Sequence, residues 1–125
     1  MTGRVLVVDD EPTMRDLLET TLSEEGYEVR TAANGREALQ VDAAWRPDLV
    51  VLDLMMPVMD GWAFLAERAR SSAQAPVLVV SAVRGQGRPL GADVADFFAK
   101  PFDIERLLRR VSELVPDRGA EPSLS

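Results

Sequence analysis

The chain has 125 residues, a normal length for one domain; 46% are hydrophobic and 28% charged, enough for both a core and a solvated surface. It contains no cysteine and no histidine, which excludes disulfides, thiolate catalysis, Ser-His-Asp chemistry and His- or Cys-ligated metals. Its formal charge of −7 argues against nucleic-acid binding and suits cations or basic partner surfaces.

Arg4–Val8 is a short run with no polar residue among Val5–Val8, the pattern of a strand buried on both faces. It ends in Asp9-Asp10-Glu11. Pro12 marks a first helical turn. Met14, Leu17, Leu18, Thr21 and Leu22 then recur at helical spacing, and Gly26 ends the helix. Tyr27–Thr31 alternates apolar and polar residues, which predicts a more exposed edge strand. Residues 35–45, behind Asn34 as N-cap, form a second helix. Leu49–Leu52 is another uninterrupted apolar run and ends in Asp53. Trp62, Leu65, Ala66 and Ala69 mark a third helix. Val77–Val80 follows and ends in Ser81. Residues 83–94 are expected to form at most one mobile helical turn. They include Gly85, Gly87, Pro89 and Gly91, and an interior glycine costs ~1 kcal/mol and a proline ~3 relative to alanine. Phe97–Ala99 reads as the last strand and ends in Lys100-Pro101. Ile104, Leu107, Leu108, Val111 and Leu114 form the last helix, between Asp103 as N-cap and Pro116 as stop.

Alternation of this kind predicts an α/β fold: one five-stranded, doubly wound parallel sheet in the order 2-1-3-4-5, helices on both faces. The helix between the fourth and fifth strands should be short or missing. The domain is expected over residues 1–116, with 117–125 a flexible tail or the start of a linker. No apolar run approaches the ~20 residues that cross a bilayer. The apolar stretch near Met1 is too short for a signal peptide, so a cytoplasmic protein without membrane contact is expected.

In a parallel sheet all strands end on the same edge, where ligands bind at the point of strand-order reversal. Asp9, Asp10, Asp53, Ser81 and Lys100, the only lysine in the chain, should converge there. Each has an ordinary explanation. Acids before a helix favour its dipole, a strand-end Asp or Ser caps a turn, and most lysines are solvated. Together these explanations must hold at four strand ends of one edge. Clustered carboxylates repel one another and raise their pKa values, a cost that a divalent cation removes. Oxygen-only donors point to Mg²⁺.

The chain resembles the receiver domains of bacterial response regulators over residues 4–115. The resemblance rests on Val-Leu-Val-Val-Asp-Asp-Glu-Pro (5–12), Pro-Asp-Leu-Val-Val-Leu-Asp-Leu-Met-Met-Pro-Val-Met-Asp-Gly (47–61), Ser81-Ala82, Gly91-Ala92-Asp93 and Phe-Phe-Ala-Lys-Pro-Phe (97–102). It implies a flavodoxin-like fold and a phosphorylation-dependent switch. That switch catalyses only its own phosphoryl transfer and slow dephosphorylation. In the implied roles, Asp53 accepts a phosphoryl group from a histidine kinase or phosphotransfer protein. Asp10 binds Mg²⁺ directly, Asp9 assists through water, and the backbone carbonyl of Met55 is a further ligand. Ser81 and Lys100 meet the phosphoryl group, and Phe97 moves inward with Ser81. Pro57 and Gly61 shape the loop after Asp53, and a cis peptide bond precedes Pro101. Two features depart from the family pattern. Tyrosine is commoner than Phe at position 97, and the stretch from Ser81 to Lys100 is shorter than usual. Two other readings compete: a receiver-like interaction module that is never phosphorylated, and a phosphatase of the haloacid dehalogenase type. The latter wants a second acid two residues after its nucleophile, where this chain has Met55.

Overall fold

Val5–Val8 and Leu49–Leu52 offer apolar side chains to both faces, so they need cover on both and must lie centrally. The computed structural model describes residues 3–73, 75–82 and 90–116 and bears this out. Its elements are β1 (Arg4–Val8), α1 (Pro12–Glu24), β2 (Glu28–Ala32), α2 (Gly35–Trp45), β3 (Leu49–Leu52), α3 (Gly61–Arg68), β4 (Val77–Ser81), β5 (Val94–Ala99) and α4 (Ile104–Leu114). The sheet order is β2-β1-β3-β4-β5, and every pairing is parallel.

Side chains alternate across each strand, so each central strand feeds two cores. Val5, Val7, Leu49, Val51, Leu78 and Val80 pack against Leu18 and Leu22 of α1 and Leu107 and Val111 of α4. Leu6, Val8, Val50, Leu52, Val77 and Val79 pack on the other face, against α2 and α3. The edge strand β2 exposes Glu28 and Arg30 and half-buries Val29 and Thr31, the alternation its sequence shows.

Three readings shift in detail. β5 begins at Val94, before the apolar run 97–99, because pairing with β4 from Val77↔Val94 onward sets its length. In α1, Leu18 and Leu22 are buried, but Leu17 is 48% exposed and lies off the stripe. In α3 the buried residues are Gly61, Trp62, Phe64, Leu65 and Arg68, while Ala66 and Ala69 face solvent. The bulky Phe64 outcompetes the two alanines for the core, and that choice places Arg68 on the inner stripe.

The caps follow the sequence. Asn34 accepts from the Glu37 N–H, Glu37 returns a bond to the Ala33 N–H, and Asp103 caps α4. Among the described residues no helix lies between β4 and β5. The expected helical turn falls mostly on 83–89, and the expected tail on 117–125; both stretches lie outside the described residues.

Candidate functional site

All strands end at one edge of the sheet, and the order reverses between β1 and β3. Chain β1-α1-β2 leaves to one side and β3-α3-β4 to the other. Asp9 is the first residue past β1 and Asp53 the first past β3. Backbone bonds fix both: the Asp53 N–H donates to Val8 O at 2.9 Å, and the Asp9 N–H donates to Ala32 O at 3.1 Å. Carboxylate oxygens of Asp9, Asp10 and Asp53 all lie within 4.8 Å of one another. Asp9 and Asp53 are 2% and 6% exposed, whereas Asp10 is nearer the surface.

Lys100, the first residue past β5, reaches across β4 into this cluster. Its Nζ donates to Asp9 Oδ2 at 2.9 Å and to Asp53 Oδ2 at 3.4 Å, and Glu11 Oε1 lies 3.7 Å away. The Lys100–Pro101 peptide is cis, as expected. The Lys100 N–H donates to Ser81 O at 3.0 Å, which ties the ends of β4 and β5 together. Ser81 is fully buried beside them.

The electrostatics are unbalanced. Burial pushes the Asp9 carboxyl above its ordinary range, and the charge of Asp53 adds to this. The Glu11 N–H and Lys100 counteract the rise without cancelling it. Burial would lower the Lys100 ammonium, but the hydrogen bond to Asp9 and the charges of Asp9 and Asp53 outweigh it and raise its pKa. Lys100 thus pairs with Asp9, Asp53 and Glu11, and the Asp10 carboxylate lies in the same cluster. The donor set is hard oxygen only, of the kind that holds Mg²⁺, and a further positive charge among these close carboxylates would offset their mutual repulsion.

The loop after Asp53 is held close. The Met55 N–H donates to Asp53 Oδ1 at 3.4 Å, and the Met55 side chain is 56% exposed. The Gly61 N–H donates to Leu54 O at 2.8 Å. A Cβ at Gly61 would lie 2.6 Å from Asp53 O, so no larger residue fits beneath the acid without moving it. Phe97 is not in the cluster. It sits half-buried on β5, paired with Val79, against the α2–α3 core.

One contact was missed in the sequence. Arg15 Nη1 donates to the backbone oxygen of Asp9 at 2.7 Å. Its signal was present: a cation near a helix N-terminus opposes the helix dipole, so an arginine there calls for a reason.

The response regulator receiver domain family model matches residues 5–112. The response regulator MprA of Mycolicibacterium vanbaalenii is 42% identical over 132 residues, covering 98% of this chain and 56% of that protein. The probable transcriptional regulator ycf27 of Cyanophora paradoxa is 42% identical, covering 98% of this chain and 52% of that protein. The chain therefore spans about half the length of these curated relatives. Among solved structures, the Thermotoga maritima response regulator TrrA in complex with Mg²⁺–BeF superposes with a TM-score of 0.81. It is 35% identical, covering 90% of this chain and 98% of that one. Fold, strand order, motif positions and relatives agree. The chain belongs to the response regulator receiver domain family, the phosphorylation-dependent switches of two-component signalling.

Proposed function

We propose that this chain is phosphorylated on Asp53 with the help of Mg²⁺ held by Asp9, Asp10, Asp53 and the Met55 carbonyl, and that Lys100 and Ser81 read the modification. One observation carries the proposal: Lys100 Nζ bridges Asp9 and Asp53, at 2.9 and 3.4 Å, inside a cluster in which the Asp9, Asp10 and Asp53 carboxylates lie within 4.8 Å of one another.

Phosphoryl transfer asks little covalent chemistry of a protein. It asks for an in-line nucleophile and for positive charge on the transferring oxygens. The Asp53 carboxylate forms the new oxygen–phosphorus bond. The phosphorus–nitrogen bond to a donor histidine breaks, and its electron pair passes to the ring nitrogen. Mg²⁺, when bound, supplies positive charge that offsets the carboxylates and the transferring oxygens. Lys100 supplies the chain's own share. Afterwards the phosphoryl group brings a charge of about −1.5 to −2 to a nearly buried position. Lys100 and the Ser81 hydroxyl are the groups at hand to meet it. Because the Lys100 N–H is bonded to Ser81 O, a pull on either residue is felt at the ends of both β4 and β5. Phe97, three residues before Lys100 on β5, is placed to pass that pull to the α2–α3 face.

The partners this implies are a histidine kinase or phosphotransfer protein upstream and an output domain or protein downstream. Relatives named as transcriptional regulators are consistent with an output that lies outside the aligned half of those proteins. Among the described residues no helix is long and apolar enough to cross a membrane. The test is intact mass after treatment with acetyl phosphate and Mg²⁺. The native chain should gain one phosphoryl group and Asp53→Asn none; full labelling of that variant would refute the assignment.

A further inference from the structure

We infer that Arg15 is a positioning residue for the cation site: it grips the main chain between Asp9 and Asp10 and sets where both carboxylates point. This rests on the assignment of Asp9, Asp10 and Asp53 as the Mg²⁺ site.

At the end of β1 the chain must leave the sheet and turn into α1 within Asp9–Glu11. The Val8 carbonyl is taken by Asp53 and the Asp9 N–H by Ala32 O, so the sheet's pairing ends inside residue 9. The Asp9 carbonyl lies beyond the last rung. A half-buried carbonyl needs a donor. Arg15, half-buried on the first turns of α1, supplies it at 2.7 Å. That oxygen belongs to the peptide joining Asp9 to Asp10, so holding it fixes the plane of the peptide from which Asp10 departs. On the other side of the same residue, Asp9 Oδ1 accepts from the Glu11 N–H at 2.9 Å. The Asp9 carboxylate and the peptide that leads into Asp10 are thus held from both flanks before any ion arrives.

Once a cation is bound, electrostatics argue against an arginine beside it. Arg15 opposes the dipole of α1 and repels a cation held by the neighbouring acids. The two roles therefore predict opposite signs. If Arg15 acts only as a charge, removing it tightens Mg²⁺ binding. If it positions the acids, removing it loosens binding.

The experiment measures Mg²⁺ dissociation constants of the unphosphorylated chain from amide NMR shifts. In Arg15→Met, which keeps the apolar stem, Mg²⁺ should bind about fivefold more weakly or worse, the scale of one hydrogen bond's net contribution. Arg15→Lys, which retains a donor, should fall between this variant and the native chain. It also serves as the readout if the methionine variant folds poorly. Mg²⁺ binding that is unchanged or tighter in both variants overturns the inference. Asp10→Ala, measured alongside, separates the two claims. If it keeps the native Mg²⁺ response, the site assignment falls, and with it the role of Arg15. If it loses the response while the Arg15 variants keep theirs, only the role of Arg15 falls.

Discussion

Both ends of this sheet bury charge, and they do so in opposite ways. At the far end from Asp53, Arg68 of α3 is fully buried and its Nε donates to Asp42 Oδ2 of α2 at 3.0 Å. Its Nη2 donates to Ala75 O at 2.8 Å, and its Nη1, which makes no hydrogen bond, lies 3.5 Å from the half-exposed Asp93 carboxylate. One buried cation is matched there to one buried anion, and together they tie α2, α3 and the approaches to β4 and β5. At the Asp53 end, acids outnumber the lysine that serves them, and burial, with the charge of Asp53 added, raises the pKa of Asp9. Burial of charge therefore does not distinguish a functional edge from a structural one. The imbalance does: a matched pair is a brace, and an unmatched cluster is a site for a further cation.

The largest effect should come from breaking the brace. Removing one partner of a buried pair leaves the other desolvated and costs about 3–5 kcal/mol. Arg68→Ala should therefore lose most of the domain's stability in urea unfolding, and pairing Arg68→Met with Asp42→Leu should restore much of it. Native-like stability of Arg68→Ala alone would erase the contrast between the two edges.

A smaller effect should appear at the other edge, with its sign fixed by Asp9. The folded pKa of Asp9 lies above its unfolded value, so the native state holds this proton more tightly. That contribution is full below the ordinary aspartate range, near pH ~4, and is lost as pH rises through the folded pKa. In metal-free solution, stability measured from acid toward neutral pH should thus fall relative to Asp9→Asn, which has no such proton to lose. Added Mg²⁺ should reduce the difference. A stability difference that is flat across that range would mean that burial and the neighbouring Asp53 do not burden the Asp9 carboxylate.

Most of this contrast was legible in the sequence on one side and hidden on the other. Asp9, Asp10, Asp53, Ser81 and Lys100 could be gathered because each follows an uninterrupted apolar run, and parallel strands bring their ends to one edge. The brace was hidden because periodicity counts apolar residues only. Arg68 occupies the same stripe as Gly61, Phe64 and Leu65, and Asp42 shares one with Gly35, Ala38 and Trp45. A charged residue in an apolar register looks like an error in phase until its partner is found on another helix. Arg15 is flagged by its place at the start of α1, but its partner is not legible, because it binds a backbone oxygen and no side-chain pattern announces a main-chain acceptor. The length of β5 was misjudged because its pairing with β4, not its own apolarity, sets where it begins.

The central claim is that the unmatched edge, and not the braced one, is where this receiver responds. Amide NMR shifts of the native chain before and after acetyl phosphate and Mg²⁺ test it most directly. The account predicts large shifts at Asp10, Asp53, Met55, Ser81 and Lys100, with Asp42 and Arg68 nearly still. Shifts centred on Asp42 and Arg68, or none at Asp53, would contradict it.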